Sequence, residues 1–171
     1  MIFIRHIFIF ATLIVCIDLA VGQDSTEWSE SQVGGLSLRH PKAVKLVESK
    51  EPRQSMHVLQ SADLKIVYFD PGYAPLPEDQ ISDLNDLLGA AIVAWKSGEW
   101  LGAHDIRGDA GLAGIEGFEP PGNYPRAVMI RCRIRNTAGF GPSIEVYFTE
   151  SVSIQRVVDV LESIRFVGPK K

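Results

Sequence analysis

Cysteine is close to absent. The 171 residues hold only Cys16 and Cys132, and removal of the first 22 leaves Cys132 alone, so no disulfide can form within the remaining chain and the apolar core must hold the fold. A dominant charge sign is lacking too: 17 Lys and Arg stand against 21 Asp and Glu, for a formal net charge of −4. That mild acidic balance argues against nucleic acid as a partner, which calls for a strongly basic face. No apolar run is long enough to span a bilayer, since Ile7–Ile17 stops at Asp18, well short of roughly 20 residues. Histidines at His-Glu-x-x-His spacing, a Gly-x-Ser-x-Gly nucleophile turn and a Walker-type phosphate loop are all missing. Gly108-Asp109-Ala110-Gly111-Leu112-Ala113-Gly114 loosely echoes a dinucleotide loop, without a preceding buried strand or a following helix. No metal and no cofactor is expected.

What is present begins with an export signature. Arg5 and His6 precede the apolar run, and Ala20-Val21-Gly22 supplies a small-x-small triplet before Gln23, so residues 1–22 read as a cleavable signal peptide. The expected destination is secreted or periplasmic, with no stable membrane span after cleavage. An uncleaved anchor and lipidation at Cys16 are the alternatives, and Val15 is too bulky for the second. About 149 residues then remain, the usual size of one domain. Residues 23–35 carry Asp24, Glu27 and Glu30 and end at Gly34-Gly35; they read as a flexible acidic arm in which Trp28 is the residue able to dock. Residues 36–168 form a single α+β domain.

Within that domain, Leu36–Pro41, Met56–Gln60 and Leu64–Asp70 alternate as strands, and a proline-rich loop ends the third. A helix is expected from Pro77 or Glu78 to about Lys96, with Ile81, Leu84, Leu88, Ala91 and Trp95 in one stripe and Asp83, Asn85 and Asp86 on a solvated face. The stretch from Trp100 to Gly122 is rich in glycine and predicts short strands with close backbone approaches. Val128–Arg135 and Ser143–Glu150 alternate strictly and predict a hairpin opposing Ile134 with Ile144, Cys132 with Val146 and Ile130 with Phe148, with Arg133 across from Glu145. A last helix should start near Ser151 or Ser153 and lead to an extended Ile164–Val167.

The order of a short strand ending in His-Pro, two more strands, a helix, a glycine-rich stretch, a long hairpin and a closing helix resembles the PsbP-like and DcrB-like superfamily of exported domains. The opening Leu-Ser-x-x-x-Pro is Leu36 to Pro41 and the closing Ser-x-x-Phe is Ser163 to Phe166. Lys42-Ala43-Val44 stands where that family carries Pro-x-x-Trp. The resemblance covers about Leu36 to Val167 and implies a central antiparallel sheet with flanking helices, the PsbP-like sandwich, in mostly non-enzymatic accessory proteins; it transfers no site.

Two places invite chemistry. Arg131, Arg133 and Arg135, with Arg126 nearby, concentrate positive charge along one strand of an otherwise acidic protein, a face on which an anionic partner docks. The plainer account is a solvated sheet face, with the arginine stems packed on Tyr147 and one head paired to Glu145. His104 beside Asp105 is the best polar pair, yet neighbours on a strand point to opposite faces. The leading expectation is a non-enzymatic exported protein that binds another protein or an envelope component. The alternatives are a small secreted enzyme centred on His104 with Asp105 and Glu99 or Glu116, and a carrier of a small apolar ligand in a cavity lined by Trp95 and Phe118.

Overall fold

Residues 27–47, 55–70, 78–109, 111–135 and 141–168 are described by the structure, a computed structural model. The expected signal peptide lies outside them. Period-two patterning turns the largest share of the described residues that adopt regular structure into strand. β1 (Trp28–Val33) and β2 (Leu36–Pro41) form a hairpin that reverses at Gly34, whose φ of 55° suits a residue without a side chain. β2 also pairs with β10 (Arg165–Phe166), which makes a three-stranded sheet ordered β1-β2-β10.

The larger sheet contains β3 (Lys45–Val47), β4 (Ser55–Gln60), β5 (Leu64–Asp70), β6 (Ala103–Arg107), β7 (Gly111–Phe118), β8 (Arg126–Ile134) and β9 (Ser143–Phe148). Its order is β3-β4-β5-β9-β8-β7-β6, and every pairing is antiparallel. Among the described residues two helices, α1 (Glu78–Lys96) and α2 (Ile154–Ser163), join these sheets in an α+β architecture.

Alternation gives the seven-stranded sheet an apolar inner face. Leu59, Ile66, Ile115, Val128, Ile130, Ile144, Val146 and Phe148 lie on it and are fully buried. α1 packs on its β6–β7 end through the stripe of Leu84, Leu88, Ala91 and Trp95, and α2 rests on β2 with Val157, Val160 and Leu161 buried. Each fully buried aliphatic side chain contributes about 1.5–3 kcal/mol by leaving water. α2 starts where the sequence indicates: Ser153 is its N-cap, and its hydroxyl accepts the Arg156 N–H.

Three expectations need correction. The acidic stretch read as a flexible arm supplies β1: Trp28–Val33 pairs along the whole of β2, and Trp28 receives the Arg39 guanidinium 5.7 Å above its ring. Val33 alone of this segment is buried, so its polar composition reflects an edge strand with one wet face. The β8–β9 register is shifted by four residues from the expected one. Ile130 opposes Ile144, Val128 opposes Val146 and Arg126 opposes Phe148, while Glu145 faces Met129 rather than Arg133. An even shift keeps every side chain on its face, so the apolar pattern cannot distinguish the two registers. The observed one is anchored where Cys132 donates its N–H to the Pro142 carbonyl and Gly141 lies against the Cys132 carbonyl, an approach that any Cβ would block. Finally, Asn85 does not belong to a solvated face. Its amide clamps β10, accepting from the Phe166 N–H at 2.8 Å and donating to the Phe166 carbonyl at 3.0 Å, as a neighbouring strand would.

Candidate functional site

Both helices lie on the inner side of the seven-stranded sheet, so among the described residues no helix covers its outer face. Across β6, β7 and β8 that face carries Asp105 and Arg107, then Leu112, Gly114 and Glu116, then Met129, Arg131 and Arg133. Gly114 contributes no side chain, and Asp105 Oδ1 leans into the space a Cβ there would fill. The result is a shallow cleft of about 340 Å³ in the middle of the strands.

The arginines are not equivalent. Arg131 pairs with Glu116 at 2.8 Å on the neighbouring strand, and Arg135 reaches Asp109 at 3.5 Å. Arg133 and Arg107 flank Leu112 in one cross-strand row and have no ion pair among the described residues. Exposed pairs such as Arg131–Glu116 contribute about 0–1 kcal/mol, so these carboxylates yield easily to a competing anion. Arg107 is the member that sequence reading missed. Ile106 turning inward is the signal that puts Arg107 outward, but its nearness to Arg133 depends on β7 lying between them. The expected pairing of an arginine with Glu145 does not occur. Glu145 instead accepts from the Tyr147 hydroxyl, and the Lys65 ammonium stands 5.5 Å above the Tyr147 ring. Burial, followed by the Glu145 hydrogen bond and charge, pushes the Tyr147 phenol up to about 12.

Farther along the same outer face, Met56 and Val58 on β4 and Val67 and Phe69 on β5 are half-buried and contiguous. A charged end and an apolar end thus share one face that no described helix covers. Contiguous apolar residues left at a monomer's surface commonly mark contact surfaces.

His104 sits on the other side of the sheet. Its ring presses against Gly98 and Gly102 at the end of α1, and among the described residues its Nε2 is buried without a hydrogen-bond partner, as is Trp100 Nε1. Asp105 faces the outer cleft, so the two do not form a dyad. Glu116 lies on the outer face and Glu99 is exposed in the turn after α1. Trp95 and Phe118 are likewise separated: Trp95 packs inside from α1, while Phe118 meets Tyr147 edge-on outside at 6.1 Å. No group of three or more His, Cys, Asp or Glu among the described residues is placed to hold a metal ion, and no described helix is long and apolar enough to cross a membrane.

Cys132 is 4% exposed on the inner face, and burial pushes its thiol up to about 12 from 9.0. A thiol so placed is neither ionised nor reachable at neutral pH. Because its folded-state pKa lies above the unfolded one, the stability linked to it is intact below pH 9 and is lost as pH climbs toward 12. Relative to Cys132→Ala, the wild-type protein should lose about 1.4 kcal/mol of unfolding free energy per pH unit in that window. Urea titrations of both proteins at pH 8 and above pH 10 check this; a constant difference would contradict it.

No protein-family model matches the sequence, and no curated protein matches it. Among solved structures, the solution structure of cyanobacterial PsbP (CyanoP) from Synechocystis sp. PCC 6803 is similar over 85% of this chain and 95% of that one, at 11% sequence identity and a TM-score of 0.49. It comes from the family that the Leu36–Pro41 and Ser163–Phe166 motifs resemble.

Proposed function

We propose that this chain is an exported, non-enzymatic accessory protein whose outer sheet face docks on an acidic surface of another protein or envelope component. The export half of the reading rests on residues 1–22, where a basic start, an apolar run and a small-x-small triplet follow in order. The binding half rests on one observation: among the described residues, a sheet face free of helices presents Arg133 without an ion pair beside the weakly held Arg131 and Arg135. Guanidinium groups recognise carboxylates through paired N–H donors, which gives the contact direction as well as charge. The half-buried Met56, Val58, Val67 and Phe69 supply the apolar part that a protein interface needs at its centre.

The reading is tested by affinity capture from the native envelope or medium, using the wild-type protein and the Arg131→Glu, Arg133→Glu double variant. The variant should lose the captured partner and keep its melting temperature, since exposed pairs contribute about 0–1 kcal/mol to stability. Capture by the wild type should also weaken as salt rises, because screening shortens the reach of exposed charges. Equal capture by both proteins overturns the reading.

A further inference from the structure

We infer that β6 is a dimerisation edge, across which two copies of this chain join their seven-stranded sheets about a two-fold axis at Ile106. Among the described residues β6 is the last strand of its sheet, bordered by β7 on one side only. The hydrogen bonds of the hairpin decide which backbone groups face the open side. Gly108 and Gly111 exchange both of their bonds, at 3.0 and 3.3 Å. Bonded and non-bonded pairs alternate along an antiparallel ladder, so Ile106 and His104 bond to β7, and the N–H and C=O groups of Asp105 and Arg107 point away from it.

A second β6 can meet those groups in more than one register, and the side chains decide among them. Placing Ile106 opposite Ile106 of the other copy sets Asp105 against Arg107 and Arg107 against Asp105, each a bonded pair. Four backbone hydrogen bonds result, and opposite side chains of such pairs share a face. Once the Asp105 carboxylate turns from its place over Gly114 toward the edge, it meets the guanidinium twice on the outer surface, where both residues are exposed and neither has an ion pair among the described residues. Opposite charges in directly opposed positions stabilise a strand pair, and like charges do the reverse. The neighbouring register centred on Asp105 sets two carboxylates face to face, so the charges also select against a slip.

The helix layer leaves room for this arrangement. Leu87 touches Gly108 at the end of β6, and Ala90 and Ala94 lie on the same flank of α1. Small residues there allow the second copy's α1 to come alongside. The inference does not depend on the proposed binding role: it uses Asp105 and Arg107, whereas that role rests on Arg131 and Arg133.

Sedimentation of the full-length expressed protein, as purified, tests it. The wild type should run as a dimer that dissociates on dilution. Asp105→Arg alone and Arg107→Asp alone each set like charges together and should weaken the dimer by about tenfold or more, while the double exchange restores complementarity and should recover it. Hydrogen exchange on the unaltered chain gives a readout free of folding effects: the amides of Asp105 and Arg107 should become protected as concentration rises, with that of Ile106 protected throughout. A monomer at every concentration, a dimer indifferent to all three variants, or protection of these amides only after another protein is added overturns the inference.

Discussion

Replacing Phe148 with alanine is expected to remove about 3–5 kcal/mol of unfolding free energy, the cost of emptying a large aromatic site in a packed core. Phe148 is fully buried at the end of β9, and its ring meets Trp100 edge-on at 5.4 Å. Trp100 in turn meets Trp95 of α1 at 5.4 Å, and the Trp95 indole donates to the Trp100 carbonyl at 3.1 Å. Three rings thus tie the centre of the sheet to the end of the long helix, with each edge-to-face pair adding about 0.5–1.5 kcal/mol beyond its buried area. Domains of this size have about 5–15 kcal/mol in total, so the variant should lose a large share of its stability. Urea unfolding monitored by tryptophan fluorescence reads the change. Phe148→Leu, which keeps most of the volume, should cost less than half as much. A cost below about 1 kcal/mol for the alanine variant would mean that the cluster does not carry the junction between sheet and helix.

The faces of this protein were legible in its sequence, and its neighbours were not. Strict alternation in Val128–Ile134 and Ser143–Phe148 marks which residues turn inward, and the burial pattern follows it residue by residue. The pairing between those strands is invisible to the same signal, because registers differing by an even number bury the same side chains; a glycine approach at Cys132 decides between them. β1 escaped for a different reason. An edge strand needs little apolar content, so Glu30, Ser31 and Gln32 look like solvated coil until β2 supplies the ladder. The candidate site shows the same division. Arg131 and Arg133 could be placed on one face from spacing alone, but the adjacency of Arg107 and the pairing of Arg131 with Glu116 arise from the β6–β7–β8 order, a long-range fact that no local window contains. Asn85 looked solvated because a side chain that imitates a strand leaves no mark in helical periodicity.

Gly117→Ala is the second large effect, and it gains its force from a comparison with Gly89→Ala. At Gly117, on the inner face of β7, an added methyl collides with the carbonyl oxygen of Trp100, with the carbonyl carbon at 3.0 Å and the indole ring at 3.2 Å. The obstacle is backbone, held in place by the Trp95 indole, so it cannot swing aside as the end of a flexible side chain would. Relief requires moving Trp100 off the sheet, which also breaks its contact with Phe148. The expected cost is about 3 kcal/mol, the upper end of the range for overpacking. At Gly89, in the middle of α1, nothing lies within 4 Å of the new methyl. There the substitution only removes conformational freedom from the unfolded chain and improves helix propensity, for an expected gain of about 0.5–1 kcal/mol. The same chemical change should therefore shift the urea midpoint in opposite directions at the two sites. Movement in the same direction would show that the tight seat of Trp100 against β7 is not what organises this end of the core.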